Sequence, residues 1–157
     1  MENIVNFVIL IYDVMLSQKS KYALKALGYL AKKHADGPIL MSVIAREKKI
    51  PQAFLENIFH ELKKAGFLIS HRGRFGGYTL ADRPDRIKVS SVIRVVNGPL
   101  AMLPCVSLNF YATCEDCSED TCGLRGVFQD ARDALLHVLE NRYLSDITDK
   151  DNLYLDS

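Results

Sequence analysis

Apolar residues recur at helical spacing three times in the first half of the chain. Ala23, Ala26, Leu27, Leu30 and Ala31 share one face of a segment that Ser17 can cap, which predicts a helix running to about His34. Lys19, Lys21, Lys25 and Lys32 fall on or near the opposite face. Asp36-Gly37-Pro38 interrupts the pattern, and a short helix over about Met41–Glu47 carries Val43, Ile44 and Ala45. A turn at Lys48–Ile50 leads to Pro51, a residue suited to the start of a helix. The third helix runs to about Ala65, with Leu55, Ile58, Phe59 and Leu62 inward and Gly66 at its end. Helix, short helix, tight turn and helix is the helix-turn-helix order.

The period then changes. Phe67-Leu68-Ile69-Ser70 and Tyr78-Thr79-Leu80 read as two strands joined by His71-Arg72-Gly73-Arg74-Phe75-Gly76-Gly77. A hairpin after the third helix makes a winged helix, and its tip holds two arginines among three glycines. Val89–Val96 reads as a short connecting helix, and Pro99, Leu100 and Pro104 lead into an irregular stretch. A last helical stripe follows: Leu124, Val127, Phe128, Ala131, Ala134, Leu135, Val138 and Leu139, with Asp130, Arg132, Asp133 and Glu140 off it. A single winged helix is too small to cover so long an apolar stripe, so pairing with the same helix of a second chain, in a homodimer, is the expectation.

The expected fold is therefore mostly α with a small β-hairpin: a winged helix-turn-helix plus a long C-terminal dimerisation helix. The expected division is 15–88 for the DNA-binding winged helix, 89–145 for the connecting loop and dimerisation helix, and 146–157 for a tail. Residues 1–14 read either as an upstream extension ahead of Met15 or as a packing helix or strand.

Charge sharpens this picture. The 157-residue chain has a net charge of only +1, yet residues 17–88 hold 15 Lys and Arg against 6 Asp and Glu. Residues 101–157 hold 4 against 11. The basic half suits a polyanion and the acidic half something else. The apolar segment Ile4–Tyr12 has neither a basic residue before it nor a small-residue cleavage site after it, which argues against a signal peptide. No apolar run reaches the ~20 residues that span a bilayer. A cytoplasmic location is expected. There is no nucleotide-binding glycine loop and no nucleophile–base signature, so an enzyme is not expected.

Candidate chemistry is confined to one place. All four cysteines, Cys105, Cys114, Cys117 and Cys122, lie within 18 residues. Cys114-x-x-Cys117 puts two thiols on one turn, close enough to share a soft metal or an iron–sulfur cluster. Glu115, Asp116, Glu119 and Asp120 surround them, and such negative charge is expected to raise thiol pKa values unless a cation offsets it. The donor set is compatible with a cluster, with zinc, or with thiols alone, free or as disulfides. A disulfide framework suits neither the size of the core nor the expected compartment. Phe110 and Tyr111 are expected to pack over the site and limit solvent access.

Three stretches carry a resemblance: Lys21-Tyr22-Ala23-Leu24, Ile50-Pro51-Gln52-Ala53-Phe54-Leu55-Glu56, and Arg72-Gly73-Arg74-Phe75-Gly76-Gly77-Tyr78. Together with the cysteines ahead of a long helix, they make the chain, from about Met15 to Asp146, resemble the Rrf2 family of bacterial transcription regulators. That family includes iron–sulfur and nitric-oxide sensors, and the resemblance implies a homodimer on a pseudo-palindromic DNA operator. It also implies a cluster, 2Fe-2S or 4Fe-4S, that reports redox, nitric oxide or iron–sulfur status. Cluster-binding members usually carry three cysteines and a further ligand, in some a His three residues after the last Cys. Here Arg125 stands at that place and cannot ligate, while a fourth Cys is present. Cys105 and Cys122 match the outer pair by context, and either Cys114 or Cys117 fits the middle.

On DNA, Gln52, Ala53, Phe54 and Glu56 open the third helix, where a recognition helix meets base edges. Gln pairs with adenine, Glu accepts from cytosine N4, and Ala or Phe touches a thymine methyl. Arg72 is expected in the minor groove, and Lys21, Lys25 and Arg74 on phosphates. Tyr22 and Gly73 belong to the same expected surface. The reading of a different class is a zinc-stabilised or thiol-based winged-helix protein that acts mainly through protein–protein contacts, docking by its acidic half.

Overall fold

The computed structural model describes residues 16–115 and 117–147. The expectations for residues 1–14 and for the tail beyond 147 lie outside them.

Ser17 caps α1 (Gln18–Lys32), accepting from the Ser20 amide at 3.2 Å. Ala23, Ala26, Leu27 and Leu30 are buried as their spacing predicts, while Ala31 is half-buried. The helix stops at Lys32, earlier than His34, and a 3-10 turn at His34–Asp36 takes over. The second helix, α2 (Met41–Lys48), ends at Lys49 in the left-handed conformation, φ 53°. Ile50 is buried just beyond, its amide bonded to the Ala45 carbonyl at 2.9 Å, and this closes the helix-turn-helix turn. Burial of Ile50 holds Lys49 in a conformation that costs a non-glycine residue free energy.

In α3 (Gln52–Lys64), Leu55, Ile58, Phe59 and Leu62 are fully buried. Gly66 ends it at φ +82°, with Gly66 N–H to the Lys63 carbonyl and Phe67 N–H to the Leu62 carbonyl. These two bonds form the Schellman arrangement, which a glycine at this position makes possible. The chain turns at once into β1 (Leu68–His71), antiparallel to β2 (Gly77–Leu80), with Leu68 opposite Leu80 and His71 opposite Gly77.

Ile39, just before α2, exchanges two backbone hydrogen bonds with Tyr78 of β2, at 3.1 and 2.8 Å. The wing is thereby laced to the entrance of the helix-turn-helix. Gly77 makes this lacing possible: a Cβ there would lie 2.5 Å from Ile39 backbone atoms, and its φ is +145°.

Helix α4 (Val89–Val96) buries Val89, Val92, Ile93 and Val96. Val92 and Val96 join the same core as Leu27, Ile44, Leu55 and Phe59, so the boundary expected at residue 88 falls inside one continuous core. Asn97 at the end of α4 accepts from the Ser17 amide and the Ser20 hydroxyl, fixing where α1 begins. The chain leaves the core here and passes through a 3-10 turn at Pro104–Val106 into α5 (Gly123–Leu139).

After α5 the chain comes back. The Arg142 carbonyl accepts from the Val89 amide, the Leu144 amide donates to the Ile87 carbonyl, and Lys88 bridges Tyr143. Leu144 is fully buried in the core, and the turn Leu144–Ile147 lies on α1, where Gly28 leaves room for the Ile147 carbonyl. Among the described residues no helix is long and apolar enough to cross a membrane.

Candidate functional site

Two surfaces carry chemistry. The first is formed by the start of α3, the N-terminal half of α1 and the wing. Gln52, Ala53, Phe54 and Glu56 are all exposed on the open side of α3, because the inward side is taken by Leu55, Ile58 and Phe59. Gln52 donates to Glu56 at 3.4 Å, one turn along. Phe54 packs edge-on against Tyr22, ring centres 5.6 Å apart, which brings the exposed Lys21 and Lys25 of α1 onto the same side. Lys19, by contrast, is held by Glu61 at 2.7 Å and ties α1 to α3.

At the wing tip Arg72, Gly73 and Arg74 are exposed, with Gly73 at φ +99°. The Arg74 guanidinium lies over the Phe75 ring at 5.9 Å, and Phe75 is 86% exposed. An open groove of about 420 Å³ runs between wing and helix-turn-helix, lined by Leu40, Ser42, Gln52, His71, Arg72 and Tyr78 among others. The structure brings Phe54 to Tyr22 and sets Gln52 and Arg72 on one groove, while Lys21, Lys25, Ala53, Glu56, Gly73 and Arg74 are exposed on the same three elements. Pattern reading missed Leu40 and Ser42, whose place depends on the Ile39–Tyr78 pairing, a contact with no local sequence signal.

The second surface is the thiol loop, in which residue 116 lies outside the described residues. Cys117 is hydrogen-bonded to both Cys114 and Cys122, and these bonds are the main reason its thiol is pushed up to about 12. Cys122 stands at the N-cap of α5 and shifts the other way. Its sulfur closes no strict capping hydrogen bond, yet the Leu124 and then the Arg125 amides lower its pKa, followed by Cys117 and the Arg125 charge. A helix N-terminus with a cation one turn in is a setting that favours thiolate. Thiol neighbours and helix amides therefore govern these two cysteines, where the sequence pointed to the surrounding carboxylates.

Glu119 is engaged elsewhere: one oxygen accepts the Tyr111 hydroxyl and the other binds Arg125 at 2.9 Å. That hydrogen bond, ahead of burial, raises the Tyr111 pKa. Cys105 is buried in the 3-10 turn, and Arg132 of α5 clamps that turn through the Val106 carbonyl at 2.6 Å. The structure links Cys114, Cys117 and Cys122, and Cys105 is not among the groups that shift Cys117 or Cys122. Among the described residues no group of three or more His, Cys, Asp and Glu side chains is already set as a metal cage.

Phe110 and Tyr111 do not cover the thiols as expected; they are 48% and 55% exposed. Tyr111 is drawn aside by Glu119, and the Phe110 amide is fixed on the Ser107 hydroxyl. Helix α5 itself has no buried residue, and Leu124, Val127 and Val138 of its apolar stripe are each more than half exposed.

The fold and these surfaces define a winged-helix transcriptional regulator, and comparison with known proteins agrees. Residues 16–150 match the family model described as Rrf2, "Iron-dependent Transcriptional regulator". The chain belongs to the Rrf2 family. It is 39% identical over 137 residues to an rrf2-like HTH-type transcriptional regulator of Rhodobacter capsulatus, covering 85% of this chain and 91% of that one. It is 32% identical to the HTH-type transcriptional regulator CymR of Bacillus subtilis over 132 residues, 84% of this chain and 88% of that one. The solved structure of that CymR, titled the global cysteine regulator, superposes with a TM-score of 0.70, covering 84% of this chain and 94% of that one. The structure of T. potens IscR gives 0.69 at 28% identity, covering 87% and 88%.

Proposed function

We propose that this chain is a cytoplasmic, homodimeric regulator whose operator binding follows the state of an iron–sulfur cluster held by its own thiolates. The observation that carries this is the convergence of Cys114, Cys117 and Cys122 at the N-terminus of α5. Three adjoining soft donors with Cys105 in the same loop fit a cluster by their chemistry, and the family's description as iron-dependent supports it. Cys122, Cys117 and Cys114 would hold the group, with Cys105 as the further thiol. A bound cluster supplies a redox-active, oxidant-labile iron–sulfide core.

The chain's own residues do the rest. Cys122 connects the loop to α5, and Arg132 connects α5 to the Cys105 turn. The exposed stripe of α5 pairs with its copy, so two winged helices stand at a spacing set by α5. Gln52, Ala53, Phe54 and Glu56 read bases, Arg72 enters the minor groove, Lys21, Lys25 and Arg74 bind phosphates, and Tyr22 and Gly73 complete the surface. A change in dimer spacing on cluster loss would alter these contacts together, which is the differential affinity a switch needs.

Anaerobic purification with iron, sulfide and zinc analysis on one sample tests the reading. Brown protein with matched iron and sulfide, and operator affinity that changes on cluster loss, is the expected result. Colourless protein holding zinc, with operator binding indifferent to air and reductant, sinks it in favour of a structural zinc or thiol site.

A further inference from the structure

Arg125 follows Cys122 by three residues and so lies on the first turn of α5. A guanidinium stays protonated at any ordinary pH and offers only donors, so it cannot be a ligand. Its position is nevertheless held firmly. Arg125 Nη1 binds Glu119 at 2.9 Å, and the other Glu119 oxygen is engaged by the Tyr111 hydroxyl. Glu119 thus bridges Arg125 and Tyr111. On the Arg125 guanidinium, Nε is buried and has no hydrogen-bond partner among the described residues. Arg125 also lies close enough to Cys122 for its charge to act on that sulfur.

Buried donors are almost always satisfied, and an orphan of this kind points to an acceptor that arrives later. Glu119 accepts from Nη1 and leaves Nε unpaired. What the thiol loop offers is sulfur: thiolate and sulfide both accept hydrogen bonds, and both carry negative charge.

We infer that Arg125 is a positioning residue of the thiol site, whose Nε–H donates to a metal-bound sulfur, the Cys122 thiolate or an inorganic sulfide, at the start of α5. This rests on the cluster reading above and assigns Arg125 a role in it beyond filling a non-ligating position. Hydrogen bonds to cluster sulfur withdraw charge from the core and set its potential. The consequence is a higher reduction potential and slower cluster loss than the thiols alone would give.

The experiment compares the parent with Arg125→Gln and Arg125→Lys in two arms. In the first, each full-length protein is reconstituted anaerobically with iron and sulfide and titrated redox-optically. Arg125→Gln is expected to lower the midpoint potential and speed bleaching in air, with Arg125→Lys in between because it keeps charge and loses the fixed fork. In the second, metal-free protein is titrated with cobalt(II), which reports thiolate through charge-transfer absorption and brings no sulfide. A shift of the cobalt bands in Arg125→Gln identifies Cys122 as the acceptor; a shift confined to the iron arm identifies sulfide. Potential, bleaching rate and cobalt bands all equal to the parent's would overturn the proposal. A parent that takes up no iron ends the cluster reading, and the cobalt arm then decides the role of Arg125 alone. Absence of cobalt bands in that parent overturns both.

Discussion

Arg94 of α4 and Glu140 at the end of α5 meet at 2.5 Å, and Lys88 approaches the same carboxylate at 3.9 Å. This is the polar fastening between the far end of the long helix and the winged-helix core. The Arg94 guanidinium, by hydrogen bond first and by charge second, holds Glu140 below its ordinary value of 4.5.

The sign of its pH dependence follows. A carboxyl whose folded pKa is depressed contributes stability above its unfolded value, and that contribution is lost as pH falls through the folded value. Glu140→Gln should therefore flatten the acid limb of the stability profile below about 4.5 and leave the shape at higher pH unchanged. Thermal midpoints of parent and variant between pH 3 and 7 check this. Parallel curves would mean that the pair is screened out.

Leu144→Ala tests the return of the chain. Removing a fully buried leucine should cost about 2–5 kcal/mol, although the residue stands outside the helix-turn-helix in sequence. Denaturant unfolding, with one cooperative transition for parent and variant, is the measurement. A cost below about 1 kcal/mol, at the scale of a surface change, would show the anchor to be loose.

Gly77→Ala should fail for a backbone reason. The new Cβ meets Ile39 at 2.5 Å and the φ of +145° is strained for any L side chain. Freeing Ile39 from Tyr78 should cost about 1–3 kcal/mol and weaken operator binding further by releasing the wing. Unfolding and gel-shift titration on the same preparation separate the two effects.

On the proposed DNA surface, Arg72→Ala should reduce operator affinity by about 1–3 kcal/mol, whereas Arg142→Ala should change it little. Equal losses in a gel-shift series would remove the wing from the interface.

Self-association is best tested at Val127, which is 64% exposed in the single chain. Val127→Glu adds a charge where folding of one chain is indifferent to it, so a loss of dimer would report the interface itself. Sedimentation at micromolar concentration should show a dimer for the parent and a monomer for the variant.

Element types and the inward faces were legible because they rest on period. Leu55, Ile58, Phe59 and Leu62 follow i, i+3, i+4 spacing and are all buried, and Gly66 marks the helix end it was expected to mark. Non-local contacts were not. Nothing near Leu144 announces that it fills a core whose other buried members run from Ala23 to Val96, and Ile39 gives no hint of pairing with Tyr78. The thiol loop divides the same way. Its four donors were visible by residue type, whereas the opposite shifts of Cys117 and Cys122 depend on three-dimensional hydrogen bonding. Arg125 was visible as a residue that cannot ligate, but its brace by Glu119 and Tyr111 was not.

The stretch from Asn97 to Tyr143 has the mechanics of a handle riveted at both ends. One foot is Asn97, gripped by Ser17 and Ser20; the other is Tyr143 and Leu144, seated against Lys88, Ile87 and α1. A handle without a loose end cannot relax by fraying when its thiol arm shortens or stiffens. Any displacement of the thiol loop that turned α5 would therefore load α1 and α4, both of which also pack against α3.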